Sequence, residues 1–301
     1  MVGNSMNPVL RWVTRQFEKG AVSGQGFHAN THETPRDINV DLDIPYQNHK
    51  NVPLAMDIYR PKTGGGNSLP VIVMVHGGGL LVGSRKMLRP VCEGLARSGC
   101  LVIAPQYRLL SETDAFGAIA DLCAGLRTVE QIAPQYGGDP ERIYVIGESA
   151  GAFLAVYACA MVTSKPLSEA MGFHSATKPV KGLACLSGMF YTAKKDLIGR
   201  VYLKDLYGER RKVPGLMQYM NPEHKEVMGN LPPVIMTTSS ADFLKHYTLS
   251  YAQALEKSGH SVKLLNYGAG KHLIHAFPAL NPYIPESIDA MSRILTWFSI
   301  Q

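Results

Sequence analysis

Short, nearly uninterrupted runs of apolar residues recur along the chain and most restrict how it can fold. The first, Val71–Val75, contains no polar residue, which is typical of a strand buried on both faces of a sheet. Similar runs follow at Leu101–Ala104, Ile143–Ile146, Val180–Leu186, Val234–Thr238 and Val262–Asn266. Helical segments lie between and after them, at Met87–Ser98, Ala115–Ala133, Ala150–Val162, Tyr247–Lys257 and Ser287–Phe298. This alternation predicts an α/β fold with a mostly parallel central sheet and helices on both faces.

The residues before the first run have a different pattern. Apolar and polar residues alternate from Ile38 to Ile44 and again from Val52 to Ile58, with a polar turn between. That pattern predicts an antiparallel hairpin joined to the parallel sheet. Hydrophobic residues make up 46% of the 301-residue chain, enough for a sizeable core.

Charge and cysteine usage narrow the classes of partner and compartment. The net charge is +6, but no dense run of Lys and Arg interleaved with aromatics occurs, so we expect no nucleic-acid partner. Five cysteines without a CxxC pair predict buried free thiols rather than disulfides or a metal site, and so no metal. No stretch approaches 18 apolar residues and the N-terminus lacks a signal-peptide core, so we expect no membrane partner and a cytoplasmic location.

The sequence GESAG at Gly147–Gly151 lies directly between a predicted buried strand and a predicted helix. A sharp strand-to-helix turn of this kind exposes a serine hydroxyl at the end of a sheet, and flanking glycines avoid clashes that a Cβ would cause. An incidental serine in a tight turn is the alternative. The context favours Ser149 as a nucleophile.

A second glycine-rich segment, His76–Gly79 (HGGG), directly follows the Val71–Val75 strand. Acyl transfer creates a tetrahedral oxyanion that must be met by several fixed N–H donors, and glycines let the backbone approach it closely. A plain glycine turn at a strand end is the alternative. Its pairing with GESAG favours a role in oxyanion stabilisation.

Together these motifs resemble the hormone-sensitive-lipase-like branch of bacterial carboxylesterases, in the α/β-hydrolase superfamily. The resemblance covers roughly residues 70–280 and rests on His76–Gly79, Gly83-Ser84, Tyr107–Leu109, Gly147–Gly151, Ser240–Leu244 and His275–Phe277. It implies an α/β-hydrolase core with a cap, ester substrates and no cofactor. It also implies that the N–H groups of Gly78, Gly79 and Ala150 form the oxyanion hole. Gln106, where the family commonly has Asp, and Leu80-Leu81, where an aromatic is frequent, depart from the pattern.

The remaining catalytic residues must follow the serine in the order acid, then histidine. Asp242 lies just past the Val234–Thr238 strand, at the sheet edge where the site is expected, although it can also serve as the N-cap of a helix at 243–255. His272 and His275 both follow the last strand. We predict Asp242 as the acid and His275 as the base, because His275–Phe277 matches the family's His-x-Phe and His272 follows a glycine-rich, flexible stretch.

The chain divides into four predicted parts. Residues 1–36 form an N-terminal helix (Val9–Lys19) and loop that can complete a cap; residues 37–190 and 232–301 form the two parts of the core; residues 191–231 form a cap insertion. The insertion is longer than an ordinary connection and mixed in composition. Met217, Tyr219 and Met220 within it are candidates to narrow an acyl-binding slot.

The sequence thus predicts a serine carboxylesterase that hydrolyses small to medium esters through an acyl-enzyme. An amidase, peptidase or formamidase would use the same residues, and a non-catalytic receptor on this fold would lack one of them. The sequence leaves open the acyl and alcohol specificity and the physiological substrate. It also leaves open the oligomeric state, and a homo-oligomer is one alternative.

Overall fold

The computed structural model describes residues 36–49, 52–62, 68–173, 177–194, 196–268 and 272–300, with residues 15 and 270. The predicted N-terminal helix at Val9–Lys19 lies outside these residues. The strands are β1 Ile38–His49, β2 Val52–Pro61, β3 Leu69–Val75, β4 Leu101–Pro105, β5 Gly138–Glu148, β6 Gly182–Leu186, β7 Val234–Ser239 and β8 Val262–Tyr267. The helices are α1 Arg89–Arg97, α2 Ala115–Ile132, α3 Ala150–Thr163, α4 Lys165–Met171, α5 Leu197–Tyr207, α6 Lys225–Met228, α7 Lys245–Lys257, α8 Phe277–Leu280 and α9 Pro285–Trp297.

The eight strands form one sheet in the order β1-β2-β4-β3-β5-β6-β7-β8. β1 pairs antiparallel with β2, and β2 with β4, which confirms the predicted hairpin. Every pairing from β4 to β8 is parallel, which confirms the predicted α/β class. Because parallel strands end at the same edge, the segments that follow β3, β5, β7 and β8 are brought to one edge of the sheet.

The core lies on both faces of the sheet, and β3 shows why its sequence is continuously apolar. Val71, Val73 and Val75 pack on the face covered by α2, α3 and α7. Ile72 and Met74 pack on the opposite face, against α1 and α9. Burial on both faces removes the polar alternation that a half-exposed strand would carry.

Some predicted bounds are wrong. β5 begins at Gly138, five residues before the predicted start at Ile143. α4 was not predicted from the sequence. The side chain of its N-cap residue, Ser164, accepts the Leu167 N–H (3.2 Å). α7 begins at Lys245 and its N-cap residue is Leu244, so the alternative role of Asp242 as the N-cap of this helix is wrong.

Residues 196–231, within the predicted cap, contain α5, α6 and two short 3-10 helices at Gly208–Lys212 and Met217–Met220. Met220 is fully buried against the core, whereas Met217 and Tyr219 are only partly buried. The separation of this segment as a cap remains a prediction.

A single helix long and apolar enough to cross a membrane is absent from the described part of the chain. α3 and α4 meet that criterion only as a pair, and the axis bends by 119° between them.

Candidate active site

Ser149 lies at the sharp turn between β5 and α3, with a φ of 51° and a ψ of −114°. A non-glycine residue at positive φ is strained, and such strain is concentrated at functional sites. The neighbouring glycines have no room for a side chain. A Cβ on Gly147 would lie 2.6 Å from the Ala152 Cα, and one on Gly151 would lie 2.3 Å from the Val75 carbonyl oxygen. The turn can therefore form only with glycine on both sides of the serine.

His275 lies between Ser149 and Asp242. Its Nε2 is 2.8 Å from the Ser149 Oγ, and its Nδ1 is 2.7 Å from the Asp242 Oδ1. With the proton on Nδ1, the imidazole donates to the carboxylate and accepts from the serine hydroxyl. The three residues come from the ends of β5, β7 and β8, and parallel pairing explains why they meet.

Asp242 is buried and well supplied with donors. The Thr238 hydroxyl donates to Oδ2 (2.7 Å), and the Leu244 N–H donates to Oδ1 (2.9 Å). Burial tends to raise the pKa of this carboxyl group, but the hydrogen bond and charge of His275, with the Thr238 and Leu244 bonds, hold its pKa below the usual value. The carboxylate therefore stays ionised and fixed in direction.

The loop that carries His275 is anchored on both sides. The Ser239 hydroxyl donates to the Leu273 carbonyl, and the Ala276 N–H donates to the Ser187 Oγ (2.9 Å). The Phe243 ring lies 4.3 Å from the imidazole, between centroids. These contacts restrict the imidazole to one position. Ser187, Ser239 and Phe243 were not predicted as site residues. Of the three, only Phe243 had a signal in the sequence, because it is adjacent to the predicted acid.

His272 lies elsewhere. Its Nε2 is 3.2 Å from the Glu286 Oε1, and its side chain is 52% exposed, against 16% for His275. The structure thus brings the predicted His275, and not His272, to Ser149.

The segment after β3 forms a tight loop beside the serine. Gly78 and Gly79 have φ values of 95° and 64°, and the Gly78 carbonyl accepts the N–H groups of Leu81 (3.0 Å) and Val82 (3.1 Å). A Cβ on Gly78 would lie 2.1 Å from the Val82 carbonyl oxygen, so glycine is required there. Ala150 is the first residue of α3, where helix N–H groups lack intrahelical acceptors.

Two buried and stacked aromatic rings, those of His76 and Tyr107, stabilise the HGGG loop. The His76 and Tyr107 rings stack at 4.2 Å, and the Tyr107 hydroxyl donates to the carbonyls of His76 (2.8 Å) and Gly77 (3.1 Å). Burial lowers the pKa of His76 to about 4, so its ring is neutral near pH 7. Tyr107, from the Tyr-Arg-Leu motif, thus stabilises the HGGG loop through these hydrogen bonds.

Glu148, immediately before the serine, is buried against the same loop. A Cβ on Gly77 would lie 2.0 Å from its Oε1, so this glycine leaves the space that the carboxyl group fills. Burial raises the pKa of Glu148 to about 7, although the charge of His275 and the Gly77 N–H act in the opposite direction. No role for Glu148 was predicted from the sequence.

Arg108 and Gln106 secure the strand-end segment that carries Tyr107. Arg108 forms two hydrogen bonds of 2.8 Å with the Asp121 carboxylate. The Gln106 side chain accepts the Arg85 N–H (3.1 Å) and donates to the Tyr107 carbonyl (3.0 Å). An amide at Gln106 can do both because it has a donor and an acceptor, whereas an ionised Asp would only accept.

Within the described ranges, no three His, Cys, Asp or Glu side chains are grouped so that they could hold a metal ion. All five cysteines are buried and free, as predicted.

Comparison with known proteins adds family evidence to this geometry. A family model described as alpha/beta hydrolase fold matches residues 72–277. The chain is 28% identical to a carboxylesterase of Mycobacterium tuberculosis, over 96% of this chain and 93% of that protein. It is 26% identical to a probable isoprenylcysteine alpha-carbonyl methylesterase of Arabidopsis thaliana over 72% of this chain, which spans about half (48%) of that relative's length.

Solved structures give the same fold. Esterase B of Lactobacillus rhamnosus superposes with a TM-score of 0.86, at 23% identity, over 97% of this chain and 94% of that one. Brefeldin A esterase, described as a bacterial homologue of human hormone-sensitive lipase, superposes with a TM-score of 0.74, at 18% identity, over 99% of this chain and 86% of that one. The resemblance stated from the motifs is confirmed.

Proposed function

The chain belongs to the alpha/beta hydrolase family, and we propose from that premise that it is a serine carboxylesterase in which Ser149 is the nucleophile, His275 the base and Asp242 the orienting acid. The observation that carries the proposal is the continuous hydrogen-bonded chain from the Ser149 Oγ through both ring nitrogens of His275 to Asp242. The likeness to the mycobacterial carboxylesterase over almost the whole chain supports the same activity.

The proposed reaction has two halves. The Ser149 Oγ attacks the acyl carbon of the ester while His275 takes its proton, and the resulting tetrahedral intermediate expels the alcohol, which receives that proton. Water then attacks the acyl-enzyme, again losing a proton to His275, and the acid leaves as Ser149 is reprotonated. Asp242 stabilises the charged imidazole in both halves, so all proton transfers use groups on this chain.

The N–H groups of Gly78, Gly79 and Ala150 are proposed as the oxyanion hole. The positive φ of Gly78 and Gly79 and the location of Ala150 at the start of α3 support this assignment. Fixed donors at this position stabilise charge that develops only in the transition state, and one such donor contributes about 10²–10³ to kcat.

The proposed substrates are small to medium esters. Because Met220 is buried in the core, Met217 and Tyr219 are the residues of the predicted cap that we propose to limit acyl length. The test is kcat/KM on p-nitrophenyl esters from acetate to palmitate and on the matched p-nitroanilides. We expect a maximum at short or medium acyl chains and much slower anilide hydrolysis. Preference for anilides would favour an amidase, and a steady rise toward palmitate would contradict the size limit.

We also propose a cytoplasmic location, because five buried free thiols suit a reducing compartment. Disulfide mapping of the protein isolated from its source under thiol-trapping conditions tests this. A native disulfide would contradict it.

A further inference from the structure

Tyr202, on α5 in the predicted cap, reaches the glycine loop beside Ser149. A Cβ built on Gly79 would lie 2.7 Å from the Tyr202 hydroxyl oxygen, closer than real Cβ atoms approach other groups. Glycine at position 79 therefore leaves room for this hydroxyl group as well as permitting the loop's positive φ. Any side chain at position 79 would require the tyrosine or the loop to shift.

The distance is suitable for a shared ligand. A Cβ lies about 2.5 Å from its own backbone nitrogen, so the Tyr202 hydroxyl oxygen is at most about 5 Å from the Gly79 nitrogen. Two donors that bind one oxygen at about 2.9 Å each are separated by up to about 5 Å. An oxygen atom bound at the Gly79 N–H is therefore within reach of Tyr202.

The Tyr202 hydroxyl is free to bind such an oxygen. It forms no hydrogen bond with any residue that the structure describes. Two other tyrosines of residues 191–231 use their hydroxyl groups internally: Tyr191 donates to Glu223 (2.6 Å), and the Tyr207 hydroxyl bonds that of Thr192. Tyr202 thus presents an unused donor at the loop.

Its protonation state suits a donor. Burial raises the pKa of Tyr202 to about 12, so the phenol keeps its proton near neutral pH. A phenol held near a developing oxyanion can donate without becoming charged itself.

We propose that Tyr202 is a catalytic residue whose O–H donates a hydrogen bond to the ester carbonyl oxygen as it becomes the oxyanion, alongside the backbone donors. This inference rests on the proposed esterase function. It assigns to the predicted cap a direct part in catalysis. No bond other than this hydrogen bond forms or breaks at Tyr202, and the alternative is that its ring is only a wall of the binding site.

The test compares Tyr202→Phe with the wild-type enzyme on p-nitrophenyl acetate and butyrate. Loss of the donor should lower kcat about 10- to 100-fold, less than the 10²–10³ for a single essential donor because the backbone donors remain. KM should change little, since the bond strengthens only in the transition state. Affinity for an aryl trifluoromethyl ketone, which forms a tetrahedral adduct with an oxyanion, should fall by the same factor.

Tyr207→Phe is the matched control. It removes a hydroxyl group from the same helix, and kcat should stay at the wild-type value even if the free energy of unfolding falls. Unchanged kcat and inhibitor affinity in Tyr202→Phe would overturn the inference, as would a change confined to KM or to the preferred acyl length. Wild-type enzyme inert toward every ester would overturn the proposed function along with it, so the two failures are distinguishable.

Discussion

His272 and His275 follow the same strand, β8, but differ in what holds them. His275 is bonded on both ring nitrogens and lies beside Phe243, whereas His272 has a single exposed contact with Glu286. A general base must be fixed within about 3 Å of the proton that it removes. Only His275 meets that requirement.

We therefore predict a large loss of kcat in one alanine variant and almost none in the other. His275→Ala should lower kcat by about 10⁴–10⁶, the range found when members of such a triad are removed, while His272→Ala should change it by at most a small factor. The measurement is kcat for ester hydrolysis, with folding of both variants checked by circular dichroism. A larger loss in His272→Ala would transfer the base to that residue.

At the scale of helices, glycines in α1 and α3 have opposite surroundings. A Cβ on Gly94 of α1 would meet nothing within 4 Å, whereas one on Gly151 of α3 would lie 2.3 Å from the Val75 carbonyl oxygen. The first substitution changes only helix propensity. The second forces the helix away from β3.

Gly94→Ala should raise the free energy of unfolding by about 0.5–1 kcal/mol, because alanine has less backbone freedom to lose in the unfolded chain. Gly151→Ala should lower it by about 1–3 kcal/mol, the usual cost of overpacking. Urea unfolding at constant m-value measures both. If the two variants shift the midpoint in the same direction, the packing described around the serine is wrong.

Element prediction from the sequence succeeded where burial leaves a local pattern. Val71–Val75 is recognisable because both faces of β3 are covered, and the hairpin is recognisable because apolar and polar residues alternate in β1 and β2. α4 was missed because its seven residues are too few for a clear helical period, although Ser164 and Pro166 are start signals. Short elements depend on tertiary contacts that no local pattern records.

For the molecule as a whole, two buried groups beside the HGGG loop, Glu148 and His76, make the free energy of unfolding depend on pH in opposite directions. Glu148 has its pKa raised from 4.5 to about 7, so the folded state binds more protons than the unfolded state in that window, and stability is lost as pH rises through it. His76 has its pKa lowered from 6.5 to about 4, so the folded state binds fewer protons, and stability is lost as pH falls through that window. The two effects oppose each other between about pH 4.5 and 6.5.

Neutral substitutions should separate them. Relative to the wild type, Glu148→Gln should become progressively more stable as pH rises from 4.5 to 7, and His76→Asn should become progressively more stable as pH falls from 6.5 to 4. Urea unfolding at half-unit pH intervals gives the free energies. Each variant serves as the control for the other, and curves parallel to the wild type in both would contradict the burial of these two charges.

The site could be predicted from the sequence only where one residue type in one local context suffices. Ser149 is marked by its glycines. Ser187 and Tyr202 carry no such mark, because their contacts with Ala276 and Gly79 join segments far apart in the chain. Folding, and not local sequence, makes these residues part of the site.

The most direct test of the proposed function is covalent labelling with a fluorophosphonate, followed by mass spectrometric mapping of the modified peptide. The reagent phosphonylates the serine that a neighbouring base activates, so Ser149→Ala and His275→Ala serve as matched controls. We predict one adduct per chain, on Ser149, loss of ester hydrolysis in proportion to labelling, and little or no labelling of either variant. An adduct on another serine, or full activity in the Ser149→Ala enzyme, would contradict the proposal.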